Sequence, residues 1–183
     1  MKFVLPHTIE SGQGEKITFK EIIKEPDGDK VIIEGTCAPG AGPAMHVHYK
    51  QDEGITVVKG KMGCQILGKD TVYYSQGQEV VFPRNTPHRF WNASDEELIV
   101  SSWIKPANSI IFFLSTLYAA QKKSGSGRPE AFDAAYLLVR YKSEYGMPEL
   151  PSFVRNVIMP VTYSIGSLLG KYKKFKDAPE PLK

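Results

Sequence analysis

The chain has 183 residues, with 23 Lys and Arg against 20 Asp and Glu and a formal net charge of +3. That length suits one domain with a modest appendage and is short for two full domains. The charges are mixed in sign along most of the chain, so no basic face argues for nucleic acid, and no nucleic-acid partner is expected.

Residues 1–14 read as an arm leading into the first strands, and the fourth histidine of the chain, His7, is expected on its surface. Met1 to His7 contain no sustained apolar run before the polar Glu10–Gly14 stretch, so no export is indicated and a cytoplasmic protein is expected. Lys16–Ile23 and Val31–Cys37 have strand composition around an Asp27-Gly28-Asp29 turn. A Pro/Gly-rich loop, Ala38–Pro43, precedes His46 and His48. In an extended strand alternate side chains share a face, so these two imidazoles point the same way. Glu53 opens the next apolar run, Ile55–Val58.

Further strands are expected at Met62–Leu67, Thr71–Tyr74, Gln78–Phe82, Pro87–Asn92 and Glu97–Ile104, separated by Gly-, Asn- and Asp-containing turns. The character of the chain changes at Pro106. Ala107–Lys122 forms a helix candidate with a very apolar centre, too short to span a bilayer. Ser124–Gly127 reads as a linker, and Pro129-Glu130 opens a second helix carrying Phe132, Ala135, Tyr136 and Val139 at helical spacing. A third candidate begins at Pro151, with Phe153, Val157, Val161, Ile165 and Leu168 or Leu169 on one stripe, and Pro160 is expected to kink or split it. The lysines at 171, 173, 174 and 176 read as a solvated helix end. Membrane contact is not expected; the helices are expected to pack on the outside of a barrel or across a dimer interface, and a homodimer follows as the expected assembly.

Gly40, His46, His48, Glu53 and Gly60 fill the pattern Gly-x5-His-x-His-x4-Glu-x6-Gly, and Gly77, Pro83, His88 and Asn92 fill Gly-x5-Pro-x-Gly-x2-His-x3-Asn except that Asn85 stands at the inner glycine. The chain thereby resembles the cupin family. The resemblance implies an all-β jelly-roll barrel (a double-stranded β-helix) over residues 15–104, with residues 105–183 as a C-terminal helical extension. It also implies one divalent transition metal held by His46, His48, Glu53 and His88, with iron, manganese, nickel and zinc all compatible. Asn85 is a mild departure, because asparagine tolerates a left-handed backbone better than most residues with a side chain.

Alternation places Phe90 on the face of His88, and Ile55 and Val57 on the face of Glu53, so these three are the expected walls of an apolar pocket. Arg89 and Trp91 point the other way and are expected to pack under the tail or in an interface. Cys37 and Cys64 lack metal-site or redox-motif spacing and are expected as reduced structural thiols. With no second set of acid/base residues evident, the expected activity is that of a metal-dependent dioxygenase or related oxidoreductase on a small organic molecule. The alternative is a non-catalytic module that binds or senses a small molecule or metal. Fold likeness alone does not choose between them.

Overall fold

The computed structural model describes residues 3–182. Ten strands come first: β1 (His7–Glu10), β2 (Glu15–Ile23), β3 (Lys30–Cys37), β4 (Val47–His48), β5 (Asp52–Lys59), β6 (Lys61–Ile66), β7 (Val72–Ser75), β8 (Glu79–Phe82), β9 (His88–Asn92) and β10 (Leu98–Lys105). They are followed by α1 (Ile110–Ser124), α2 (Ala131–Arg140), the short strand β11 (Tyr145–Gly146) and α3 (Met159–Leu168). The strands pair antiparallel in a six-stranded sheet of order β1-β2-β3-β10-β5-β8, a three-stranded sheet β7-β6-β9 and the pair β11-β4.

One face of the large sheet carries the apolar side chains. Val31, Ile33 and Cys37 on β3 and Leu98, Val100 and Ile104 on β10 alternate inward, as a half-buried strand requires. Two elements divide that face between them. Cys37, Ile55, Val57, Leu98 and Val100 meet Met62 and Cys64 of the small sheet. Phe19, Val31, Ile33 and Ile104 meet Ile110, Ile111 and Phe112 of α1 and Tyr136 and Leu137 of α2.

The expected closed barrel is therefore not what the hydrogen bonding describes, since among the described residues no strand pairing closes either sheet on itself. Helices α1 and α2 cover part of the inner face that a closed barrel would cover with strands. The sequence led us to expect these helices on the outside of the barrel or in a dimer interface, and α1 and α2 pack on the apolar face of the large sheet.

Several local departures have clear causes. Residues 7–10, inside the expected arm, pair with β2, and His7 places Nε2 3.0 Å from Ser115 Oγ of α1 rather than lying loose on the surface. Helix α1 starts after Ala107, whose N–H donates to Asp29 O at 2.6 Å, and it ends at Gly125 in the left-handed conformation. The third helical segment is not split at Pro160: it runs unbroken over residues 152–168, with a π-helical turn at Val154–Ile158 directly before the proline, where a local change of hydrogen-bond register accommodates the missing N–H.

Helix α3 packs one side on α2, with Gly166 against Phe132 and Tyr172. The expected stripe faces outward: Phe153, Val157, Val161, Ile165 and Leu169 are exposed, and Leu168 is 88% exposed. No helix among the described residues is long and apolar enough to cross a membrane.

Gly54 has a steric role. It pairs with Trp103 across β5 and β10, and a Cβ there would overlap the indole ring. Gly54→Ala should destabilise the protein by about 1–3 kcal/mol through overpacking against this rigid group. Denaturant unfolding checks this, and a variant as stable as the parent would show that Trp103 moves aside freely.

Candidate metal centre and its cavity

The seam between the two coverings of the large sheet holds the histidines. Glu53 is the second residue of β5 and faces inward, while His88 is the first residue of β9. His46 and His88 form an antiparallel bridge, each N–H donating to the other's carbonyl at 2.9 and 2.8 Å. Only Val47 and His48 of the expected histidine strand are in ladder conformation, held by β11. Asn85 adopts φ +67° and donates its N–H to His48 O at 2.7 Å, so the residue at the inner-glycine position does take the left-handed backbone. Asp52 grips Arg84 with two side-chain bonds and the Arg84 N–H with a third, which fixes the loop before His88 to the start of β5.

These local constraints bring the four expected ligands together, with one donor atom from each lying within 4.8 Å of the others. Glu53 Oε2 is 3.0 Å from His88 Nε2, 3.4 Å from His48 Nε2 and 3.9 Å from His46 Nε2. The outer ring nitrogens of two histidines face backbone carbonyls, His46 Nδ1 to Ala44 O at 2.8 Å and His88 Nδ1 to Thr86 O at 2.9 Å. A carbonyl only accepts, so Nδ1 carries a proton, and Nε2 faces Glu53 either with its lone pair free for a metal or, on a protonated ring, as a donor to the carboxylate, as the 3.0 Å contact of His88 allows. Three imidazole nitrogens and a carboxylate oxygen converging on one point are a donor set for a divalent cation, and the residues fit a divalent metal on that ground.

The electrostatics of the four groups are coupled. Burial alone would raise the pKa of Glu53, but His46 and His88 beside it outweigh burial and hold the carboxyl below its ordinary range. Burial pushes His48 down to about 3 despite the Glu53 charge, which keeps it neutral as a ligand must be. Burial opposes a charge on His46 too, yet contact with Glu53 raises its pKa.

Around the cluster, Phe82 stacks on the His88 ring with centroids 3.8 Å apart, and Tyr145 meets the edge of His48 at 5.5 Å. Tyr145 is in turn fixed through its hydroxyl by Gln51 and Ser109. The buried Glu144 accepts from Gln51, Asn108, Ser109 and the Leu182 N–H, so one carboxylate ties β4, α1 and the C-terminal residues together beside the site.

A cavity of about 550 Å³ opens from the cluster. His46, His48 and Glu53 form part of its wall, and most of the rest is apolar, including Ile17, Val100, Phe113, Leu117 and Leu137. Of the three expected pocket residues, Phe90 lines this cavity. Ile55 and Val57 are 1% exposed and packed against the small sheet, because the inward face of β5 passes from the cavity at Glu53 into the closed core two residues later.

Arg89 and Trp91 point away from His88, as alternation requires, and pack on the small sheet itself. Arg89 bonds Gln65 and lies over Trp91, and Trp91 crosses Gly63 on the outer face of the small sheet. Asn92 is structural, its amide donating to Cys37 O and Glu96 O. Cys37 and Cys64 are free and buried, with burial pushing their thiols up to about 12 and about 11.

Sequence reasoning missed Glu15 and Tyr118, which face the cavity and hydrogen-bond each other at 3.1 Å. Burial raises the pKa of Glu15, and Tyr118 only partly offsets it. A signal was present: Glu15 shares a strand face with Ile17 and Phe19, where a carboxylate is out of place.

Residues 34–104 match the family model described as the cupin domain. The oxidoreductase iacF of Pestalotiopsis fici is 30% identical over 101 residues, covering 50% of this chain and 50% of that protein. The probable oxidoreductase virH of Hypocrea virens is 30% identical over 95 residues, covering 47% and 43%. The chain thus spans about half the length, or less, of these curated relatives. Among solved structures, an uncharacterized conserved protein with a double-stranded β-helix domain from Klebsiella pneumoniae aligns with TM-score 0.43 and 18% identity, over 59% of this chain and 80% of that one.

Two outcomes are expected of the purified protein. Freed of loose ions by dialysis, it should retain close to one transition metal per chain by elemental analysis, and His48→Ala should lose most of it. Full retention in a His46→Ala/His48→Ala double variant would refute the site. The thiols should resist an aromatic disulfide reagent at pH 8 until the protein unfolds, since only a thiolate attacks and both are buried and protonated.

Proposed function

The chain is a cupin-superfamily protein with C-terminal helices, and from that premise we propose that it is a metal-dependent oxidoreductase, most specifically a dioxygenase, acting on a small, largely apolar organic molecule. One observation carries the reading. His46, His48 and Glu53, three of the four donor groups, form part of the wall of an otherwise apolar cavity of about 550 Å³, a volume typical of small-molecule sites. A site that merely pinned strands together would need no such room. The oxidoreductase names of the two curated relatives lend the reading support.

Iron, manganese, nickel or zinc held by His46, His48, Glu53 and His88 would supply a Lewis acid and, for the first three, redox chemistry. The chain's own residues do the rest. Ala44 O and Thr86 O hold the Nδ1 protons of His46 and His88, and so keep both Nε2 atoms facing inward. Phe82 and Tyr145 fix the rings of His88 and His48. Phe90, Phe113 and Leu117 bind an apolar skeleton and exclude water from the space above the donor atoms.

The double-stranded β-helix reading of the sheets belongs to the same proposal. Its support is the bridge between His46 and His88, with Gly40 and Ala41 also bonded to Asn92, which joins the loop after β3 to β9 of the small sheet. The homodimer is proposed as well, supported by the outward apolar face of α3. A monomer mass by light scattering at micromolar concentration would refute it.

The function is tested by oxygen uptake. Iron(II)-loaded protein offered small phenols, enediols and diketones should consume dioxygen with at least one of them, and Glu53→Gln should lower turnover by tenfold or more while changing the melting temperature little. No uptake with any metal, together with a bound compound that is retained tightly and released with its mass unchanged, would favour a binding or sensing module instead.

A further inference from the structure

The wall of the cavity carries a second polar group apart from the four donor residues. Glu15, the first residue of β2, pairs in register with Cys37 of β3, and Ile104, which pairs with Val31 of β3, is the partner of Glu53. Glu15 therefore lies three strands across the sheet and six residues along β3 from the row of Glu53, on the same inward face. Its neighbours on that face of β2 are Ile17 and Phe19. A carboxylate in such a place is costly unless its oxygens are bonded. One oxygen accepts from the Tyr118 hydroxyl of α1 at 3.1 Å, and Tyr118 is 5% exposed.

A turn further along α1, Gln121 also lines the cavity. Its Nε2 donates to Gly127 O at 3.4 Å, and that bond orients the amide so that the opposite atom, Oε1, is the acceptor. Oε1 is buried without a hydrogen-bond partner. Buried acceptors in native proteins are nearly always satisfied, so this one, just behind the cavity wall, is an acceptor that a small turn of the Gln121 side chain offers to a ligand.

We infer that Glu15, Tyr118 and Gln121 form a polar anchor for a hydroxyl or N–H donor carried by an otherwise apolar ligand. At its other end the same ligand meets the His and Glu cluster, as in the function proposed above. The ligand class is an apolar, one- or two-ring skeleton with a metal-seeking oxygen pair at one end and a hydrogen-bond donor at the other. Glu15 and Gln121 act as specificity determinants: each presents an acceptor, which a donor on the ligand matches.

Two probes that differ by a single hydroxyl test this, biphenyl-3,4-diol and biphenyl-3,4,4′-triol. Calorimetric titration of the full chain is run with each, once metal-free and once loaded with zinc, which is redox-inert. The triol should bind about tenfold or more tightly than the diol, as a hydrogen bond to a charged acceptor provides. In the double variant Glu15→Met/Tyr118→Phe, which replaces both partners by apolar groups of similar shape and so disturbs folding least, the preference should fall below about threefold with diol affinity retained. Gln121→Met, at the edge of α1, should lower the preference on its own and serves if the double variant folds poorly.

Equal binding of the two probes by the parent protein, an unchanged preference in both variants, or binding of neither probe overturns the anchor. The metal arm separates the two readings. A preference that depends on Glu15 and ignores zinc strikes only the metal-centre reading, whereas affinities that rise with zinc while the preference ignores both variants strike only the anchor.

Discussion

A buried carboxylate surrounded by three imidazoles, two of them proton-locked, is the constraint around which the rest of the chain is arranged. Glu53 is 7% exposed and His88 is 1% exposed, and burying an ionised carboxylate costs several kcal/mol unless opposite charge accompanies it. Backbone carbonyls hold the Nδ1 protons of His46 and His88 and direct their Nε2 atoms at Glu53. The apolar core cannot satisfy such a cluster. A metal ion can, and the surrounding contacts, from the Asp52 and Arg84 grip to the stacked Phe82, hold the donors ready for one.

The helices explain why the cluster has room above it. The large sheet has a single apolar face, and the small sheet covers only the part bearing Ile55, Val57, Leu98 and Val100. Helices α1 and α2 cover the remainder, and between them and the sheet lies the cavity. Glu144 fastens this covering, since its carboxylate joins Gln51 after β4, Asn108 and Ser109 before α1, and Leu182 near the C-terminus. The tail is thus part of the site's wall rather than an ornament on its outside, and loosening it should be felt at His48 through Tyr145.

Much of this was readable from the residues, and the divisions follow physical lines. The donor set was legible because His46, His48 and Glu53 in one block and His88 in a second fall on the spacings of the cupin motifs that the chain resembles. Asn85 was legible because the left-handed region admits few side chains, and the structure gives it φ +67°. Alternation correctly turned Ile55 and Val57 inward, but it cannot say which neighbour covers an inward face, and Met62 and Cys64 seal them off.

Which partner surface the stripe on the third helical segment meets was not legible for a related reason. Periodicity shows that residues are apolar, not that they are covered, and α3 is apolar on both sides while only the side bearing Gly166 is packed. Glu15 was overlooked although the pattern contained it, because a charge at the edge of a strand normally looks outward. The cover supplied by α1, more than a hundred residues away in sequence, is what turns it into a cavity group.

The account stands on metal coordination by three imidazoles and one carboxylate beneath the cavity, and X-ray absorption at the zinc edge of the zinc-loaded protein tests it most directly. The account predicts about three imidazole nitrogens at roughly 2.0–2.1 Å and a carboxylate oxygen at roughly 2.0–2.2 Å, with one imidazole lost in His48→Ala. A spectrum with fewer than two imidazoles, or one unchanged by that substitution, would contradict it.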